Sequence, residues 1–267
     1  MQAFEYHKFS GAGNTFVVID GRGVPHSEYP GIDGIVALCR EYGTDGLMIL
    51  DNSAEADFDM AFFNPDGSGG MMCGNGGRCI VAFAEWLRVK PSAPGHYVFK
   101  APDGIHEADI LSHDGFDRWT VRLSMRDVHG VEDVLRGRFL DTGTRHFVRF
   151  VGDVETVDIE REALPIRHHE HFAPQGTNVN FVSEAADGLH VRTFEKGVEG
   201  ETLACGTGIT ASAIAAWKAG IQPDSFVDGR ARYHLKARTS WLIVDFIPEG
   251  DQAFRDIHLT GPAEMLF

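Results

Sequence analysis

Basic residues are in short supply in this chain. Its 24 lysines and arginines stand against 39 aspartates and glutamates, a formal net charge of −15 with histidine neutral. A phosphate backbone needs a basic footprint, so nucleic acid is not an expected partner. No uninterrupted apolar run approaches the roughly 20 residues that span a bilayer as a helix, so no membrane partner is expected either. The opening Met1-Gln2-Ala3-Phe4-Glu5-Tyr6-His7-Lys8 lacks the basic-then-apolar form of a signal peptide, and the expectation is a cytoplasmic chain. Cysteine is scarce too. There are four, Cys39, Cys73, Cys79 and Cys205, and no Cys-x-x-Cys. In a reducing compartment such thiols are free, metal-bound or catalytic rather than staples. Cys73 and Cys79 are too far apart for the usual zinc knuckle. The adjacent histidines of His168-His169-Glu170-His171 point in different directions, which favours a solvated loop, and no metal is expected. After Gly11-Ala12-Gly13 the third glycine of Gly-x-Gly-x-x-Gly is missing, because Phe16 stands there. The chain continues as a strand, so the dinucleotide-binding reading fails on context.

What the sequence does contain is a 43% hydrophobic composition over 267 residues, enough for one large domain or two modest ones. Two stretches in it echo each other. Met72-Cys73-Gly74-Asn75-Gly76-Gly77-Arg78 and Ala204-Cys205-Gly206-Thr207-Gly208-Ile209-Thr210 each put a cysteine before a glycine-containing turn. An apolar, helix-like run follows each: Ile80, Ala82, Phe83, Trp86, Leu87 after the first, and Ile209, Ala211, Ile214, Ala215, Trp217 after the second. The two lie about half the chain apart. Together they suggest a duplicated fold with one cysteine per half, each at the N-terminus of a helix.

The remaining pattern is mostly strand. Phe4 to Ser10, Phe16 to Ile19, Leu47 to Leu50, Phe58 to Phe63, Tyr97 to Lys100, Glu107 to Leu111 and Trp119 to Leu123 read as strands in the first half. Arg136 to Leu140, His146 to Val151, Asn178 to Val182, Leu189 to Phe194, Ala231 to Leu235, Trp241 to Phe246 and Ala263 to Phe267 read so in the second. Ile35 to Tyr42 and Glu160 to Leu164 read as short helices, with Cys39 a buried apolar residue. Asp127 to Val134 is less regular and is the candidate boundary. Many strands with one apolar, alanine-rich helix per half suggest sheets wrapped around a central helix.

A helix N-terminus offers backbone N–H groups and a partial positive charge, which lowers a thiol pKa and binds a carboxylate. Two such ends facing each other would grip one amino-acid carboxylate and set a sulfur on each side of its α-carbon. That suits proton abstraction at a stereocentre, with a thiolate base on one face and a thiol acid on the other. Preorganised N–H donors in a dry pocket would stabilise the developing charge. No phosphate or aldehyde cofactor is required.

Asn64-x-Asp66-Gly67-Ser68 followed by Cys73-Gly74-Asn75-Gly76-x-Arg78-Cys79 resembles the first-cysteine signature of the diaminopimelate epimerases. Glu195-Lys196-Gly197 with Glu201-Thr202-x-Ala204-Cys205-Gly206-Thr207-Gly208 resembles their second. The likeness also runs through Gly11 to Phe16, Thr142-Gly143 with His146, Gly176 to Phe181 and Gly261-Pro262-Ala263-Glu264. It implies a cofactor-independent epimerase that interconverts LL- and meso-diaminopimelate for lysine and peptidoglycan synthesis. The implied fold is α+β: two pseudo-symmetric domains, each a mostly antiparallel sheet around a central helix, with the last strand returning to the first domain. The expected division is therefore 1–127 plus 257–267, carrying Cys73, and 128–256, carrying Cys205. Carried over by position, Cys73 and Cys205 are the bases, supported by His146 and Glu195. Gly74, Asn75, Gly206 and Thr207 hold the reacting carboxylate through backbone N–H groups, and Asn14, Asn64, Asn178 and Lys196 bind other polar groups of a small amino-acid substrate. The resemblance also implies a homodimer. Lys196 replaces a usual arginine, Thr144-Arg145-His146 a common Asn-Pro-His, and Gly46 a frequent glutamine, all near recognition of the distal end of the substrate. The alternatives are a related racemase of another amino acid, of histidine or proline type, and a non-catalytic amino-acid-binding protein.

Overall fold

Short runs of β-branched and aromatic residues, broken by glycine and polar turns, dominate the chain and fold as strands. The computed structural model describes residues 4–70 and 73–267. The chain forms two units, Met1–Leu123 with Gly261–Phe267, and Ser124–Thr260.

The first unit contains β1 (Tyr6–Gly11), β2 (Asn14–Asp20), α1 (Ile32–Tyr42), β3 (Leu47–Asp51), β4 (Phe58–Phe63), α2 (Gly74–Trp86), β5 (His96–Ala101), β6 (Gly104–Asp114) and the start of β7 (Arg118–Met125). β1 and β2 form an antiparallel hairpin, and β2 pairs parallel with β3 after the α1 crossover. β3 and β4 are antiparallel, and β4 pairs parallel with β5 after the α2 crossover. β5, β6 and β7 finish as an antiparallel meander. The end of the chain pairs antiparallel with β1, Phe9 opposite Met265.

The two helices of this unit differ in kind. α1 is amphipathic: Ile35 and Cys39, one turn apart, are buried against Val17, Ile19, Leu47 and Ile49. It stops at Gly43, whose φ of 59° is the left-handed cap conformation. α2 is buried on every side from Gly74 to Ala84. A helix with no solvent face belongs inside a sheet that curves around it.

The second unit repeats the plan with β8 (Val128–His129), β9 (Glu132–Val134), β10 (Gly137–Asp141), β11 (Arg145–Phe150), α3 (Ile159–Arg167), β12 (Asn178–Ala185), β13 (Gly188–Glu195), β14 (Gly200–Thr202), α4 (Gly206–Lys218), β15 (Ser225–Val227), β16 (Arg230–Lys236), β17 (Trp241–Glu249) and β18 (Ala253–Leu266). β10 and β11 are antiparallel, and β11 and β12 parallel across α3. β12 and β13 are antiparallel, and β13 and β16 parallel across α4. β16, β17 and β18 form the closing meander. The order of pairings is that of the first unit. α2 and α4 are each 13 residues long, and α4 is as thoroughly buried as α2. The fold is thus α+β, two similar halves with a mostly antiparallel sheet around a central helix in each.

Three elements differ from the sequence expectation. α2 begins at Gly74, well ahead of the apolar run from Ile80, because Cys73 caps it and the glycines before Ile80 carry no apolar signal. Asp127 to Val134, read as irregular, holds the short strands β8 and β9. β18 runs 14 residues, far longer than Ala263 to Phe267. Its buried stretch includes His258 and Thr260, polar residues that break the apolar pattern. Among the described residues, no helix is long and apolar enough to cross a membrane.

Candidate active site

Each cysteine that sequence analysis singled out is the N-cap of its unit's central helix. Cys73 has extended backbone, φ −106° and ψ 147°, and its Sγ accepts a hydrogen bond from the Gly76 amide at 3.2 Å. This is the bond a serine or aspartate cap makes, transferred to sulfur. Cys205 occupies the equivalent place with φ −116° and ψ 108°. The helix ladders start with Gly77 N–H to Cys73 O at 2.8 Å and Ile209 N–H to Cys205 O at 2.9 Å. The amides of residues 74–76 and 206–208 therefore precede the first rung of the helix, and those of Gly76 and Gly208 turn to the cysteine sulfurs. Both cysteines are half-buried, whereas Cys39 and Cys79 are buried.

In the first unit Asn14, Asn75 and Arg78 form a chain. Asn75 Nδ2 donates to Asn14 Oδ1 at 2.6 Å, and Arg78 Nη2 donates to Asn75 Oδ1 at 2.7 Å. Arg78 is fully buried and also donates to the carbonyls of Gly74 at 3.2 Å and Pro262 at 3.3 Å. Desolvation brings its pKa down to about 10, so it is still a cation at neutral pH. Its partners here are neutral oxygens. Close packing fixes the β1–β2 turn against this helix. A Cβ on Gly11 would lie 2.6 Å from the Asn75 carbonyl oxygen and 2.9 Å from Cys79 Sγ. Asn64 is held within its own turn, donating from Nδ2 to Ser68 Oγ at 3.0 Å. Asp66 accepts from the Ser68 amide and hydroxyl at 2.9 and 2.6 Å, bracing that turn.

The second unit surrounds Cys205 differently. Glu195 ends β13 and faces β14 in a hairpin, Glu195 opposite Gly200. The Thr202 hydroxyl donates to Glu195 Oε1 at 2.5 Å. Desolvation raises the Glu195 pKa, opposed by hydrogen bonds from Thr202 and from the Cys205 thiol. Desolvation also raises the Cys205 thiol well above the usual range, and the Glu195 charge adds to it. The hydroxyl of Thr207, 3.4 Å from Cys205 Sγ, and the Gly208 amide act the other way. Cys205 at neutral pH is consequently a thiol, with the Glu195 carboxyl beside it. Lys196 is exposed, and its backbone amide donates to Asn178 Oδ1 at 2.8 Å. Asn178 also donates from Nδ2 to the Arg145 carbonyl at 2.9 Å, so both ends of its amide serve backbone.

His146 is fully buried beneath the start of α4. Its Nε2 lies 2.9 Å from both Thr144 Oγ1 and Thr207 Oγ1, and its Nδ1 lies 3.1 Å from Asn180 Nδ2. Desolvation lowers its pKa to about 3, so the imidazole is neutral. Asn180 and Thr202 join the site without having been candidates from the sequence. Asn180 stands two residues after Asn178 on the same face of a strand, and that alternation is the signal that points to it. The His168 to His171 run serves a local turn: His169 Nδ1 accepts from the His171 amide at 3.1 Å.

The family model described as diaminopimelate epimerase matches residues 6–115 and 138–231. The diaminopimelate epimerase of Chlorobaculum tepidum is 38% identical over 265 residues, 97% of each chain. That of Flavobacterium psychrophilum is 36% identical over 264 residues, covering 98% of this chain and 97% of its own. Among solved structures, the Bacillus anthracis phenazine biosynthesis protein of the PhzF family matches with a TM-score of 0.71, over 98% of this chain and 96% of that one. Its 13% identity carries the fold alone.

Proposed function

From the premise that this chain belongs to the diaminopimelate epimerase family, we propose that it is an isomerase of lysine and peptidoglycan precursor biosynthesis that converts LL-diaminopimelate to meso-diaminopimelate by a two-base, cofactor-independent mechanism. The observation that carries this reading is the repeated cap: in each half a half-buried cysteine heads a buried central helix. In this mechanism Cys73 begins as the thiolate and Cys205 as the thiol. Arg78 supports that assignment, because a desolvated cation beside the Cys73 turn favours an anion there. Glu195 supports it from the other half, because an anion beside Cys205 disfavours a second one.

The Cys73 thiolate takes the α-proton, and the Cys205 thiol delivers a proton to the opposite face. The turn amides of Gly74, Asn75, Gly206 and Thr207 hold the reacting carboxylate and stabilise the charge that develops on it. Turnover leaves Cys73 as the thiol and Cys205 as the thiolate, the pair from which the reverse reaction starts, and Glu195 and, through Thr207, His146 support the Cys205 end. Asn14, Asn64, Asn178 and Lys196 contact the remaining polar groups of the substrate. Family membership supports reading the protein as a cytoplasmic homodimer.

Exchange of the α-proton in D2O tests the proposal. We expect exchange with diaminopimelate and little with proline or histidine, and we expect Cys73→Ala and Cys205→Ala each to abolish epimerisation in a folded protein. Preferential exchange of histidine would overturn the substrate. Absence of exchange with every amino acid, or near-normal turnover in either cysteine variant, would overturn the mechanism.

A further inference from the structure

Asn180 carries no chemistry of its own, yet its surroundings settle which nitrogen of His146 bears the proton. The side chain is fully buried and saturated. Nδ2 donates to the Phe147 carbonyl at 3.0 Å, and Oδ1 accepts from the Thr193 hydroxyl at 2.9 Å. A carbonyl can only accept, so the amide cannot be turned round without setting oxygen against oxygen. The second Nδ2 hydrogen then points at His146 Nδ1, 3.1 Å away, which must present its lone pair. A neutral imidazole that accepts at Nδ1 carries its hydrogen on Nε2.

That hydrogen meets two hydroxyls, Thr144 Oγ1 and Thr207 Oγ1, both at 2.9 Å, with 3.0 Å between them. Thr207 has one hydrogen and two lone pairs. When it accepts from His146 Nε2–H and from the Thr144 hydroxyl, its acceptor capacity is used, and its single hydrogen is left for Cys205 Sγ at 3.4 Å. Gly208 lets the arrangement close, because a Cβ there would lie 2.4 Å from Asn180 Oδ1 and 3.2 Å from His146 Cε1.

We propose that Asn180 is a positioning residue: it holds His146 as the Nε2–H tautomer, and through that hydrogen directs the Thr207 hydroxyl at Cys205 to stabilise the Cys205 thiolate. This deepens the proposed function and rests on it for its catalytic meaning, but the tautomer and the thiolate can each be read without turnover. Desolvation keeps the His146 ring neutral, the state in which a single tautomer is defined.

The test uses the full-length protein labelled with 15N-histidine and long-range 1H–15N NMR. At neutral pH the His146 signals should show a protonated Nε2 and an unprotonated Nδ1. The opposite tautomer, or a mixture, overturns the proposal without any variant. Site-resolved iodoacetamide alkylation, read by mass spectrometry, then reports the Cys205 thiolate. Asn180→Ala should slow Cys205 alkylation roughly ten-fold, the loss of about one charge-assisted hydrogen bond. It should leave Cys73 alkylation unchanged and populate both His146 tautomers. In a Thr207→Val background the same substitution should have no further effect on Cys205. Equal slowing with and without the Thr207 hydroxyl would mean that Asn180 acts only on packing, and the proposal fails. Intact tautomer and coupling in a protein that exchanges no amino-acid α-proton would sink the epimerase mechanism while leaving this device standing.

Discussion

Acidification should expose the buried imidazole at His146. The side chain is fully buried, and its pKa falls from 6.5 to about 3 through desolvation. In the unfolded chain it titrates near its ordinary value. Below that value the unfolded chain binds a proton that the folded chain refuses, so stability rises with pH. The contribution is fully present above 6.5 and is lost as pH falls toward 3. Between about pH 7 and about pH 5 the linkage amounts to about 2 kcal/mol, because roughly one and a half units of unfavourable protonation accumulate at 1.36 kcal/mol each. His7, whose pKa desolvation also lowers, acts in the same direction, so the protein's total pH slope is not a clean measure. The clean measure is the difference between the parent and His146→Gln, in which His7 is common. Urea unfolding of both proteins at the two pH values should show the parent losing about 2 kcal/mol more than the variant. Parallel losses would refute the claim that His146 is neutral and sealed in the folded state.

Two further substitutions probe the surroundings of Cys205. Thr202→Val removes the hydroxyl that donates to Glu195 Oε1 at 2.5 Å, a bond that favours the ionised carboxylate. Glu195 should climb further, moving the acidic limb of the kcat–pH profile upward, and an unmoved limb would separate Glu195 from turnover. Gly208→Ala puts a methyl group 2.4 Å from Asn180 Oδ1, and denaturant unfolding should register a loss of about 1–3 kcal/mol. Stability equal to the parent's would mean that the α4 entrance yields freely.

How far the sequence could be read follows from how local each signal is. The two Cys-Gly turns ahead of apolar runs are contiguous in sequence, and they became helix caps at Cys73 and Cys205. Phe58 to Phe63 was legible to the residue, because its alternation is uninterrupted. The duplication was legible as an order of features, and the repeated alternation of antiparallel and parallel pairings gives it physical content. The second-unit network was not legible, because it depends on register. His146 lies opposite Asn178 and Val148 opposite Asn180 only once β11 and β12 pair in parallel, with 32 residues of separate sequence pattern collapsed into one ladder. Thr144, which in sequence looked like a lost amide, supplies a hydroxyl to that network.

The duplication also conceals the asymmetry that chemistry needs. The same motif heads both helices, and sequence similarity alone would make the sulfurs interchangeable. Their neighbours do not permit that. Around Cys73 the buried group is a guanidinium that donates to neutral oxygens of Asn75, Gly74 and Pro262. Around Cys205 it is the Glu195 carboxylate, with a pKa raised chiefly by desolvation. A guanidinium near one thiol and a carboxyl near the other bias two similar thiols toward opposite protonation states, which is what the proposed two-base mechanism needs. The Thr207 hydroxyl and the Gly208 amide temper the bias on the Cys205 side, since both favour the thiolate. On the proposed mechanism Cys205 starts as the acid and becomes the base when the reaction runs in reverse, and the balance between Glu195 on one side and Asn180, His146 and Thr207 on the other sets how readily it does so.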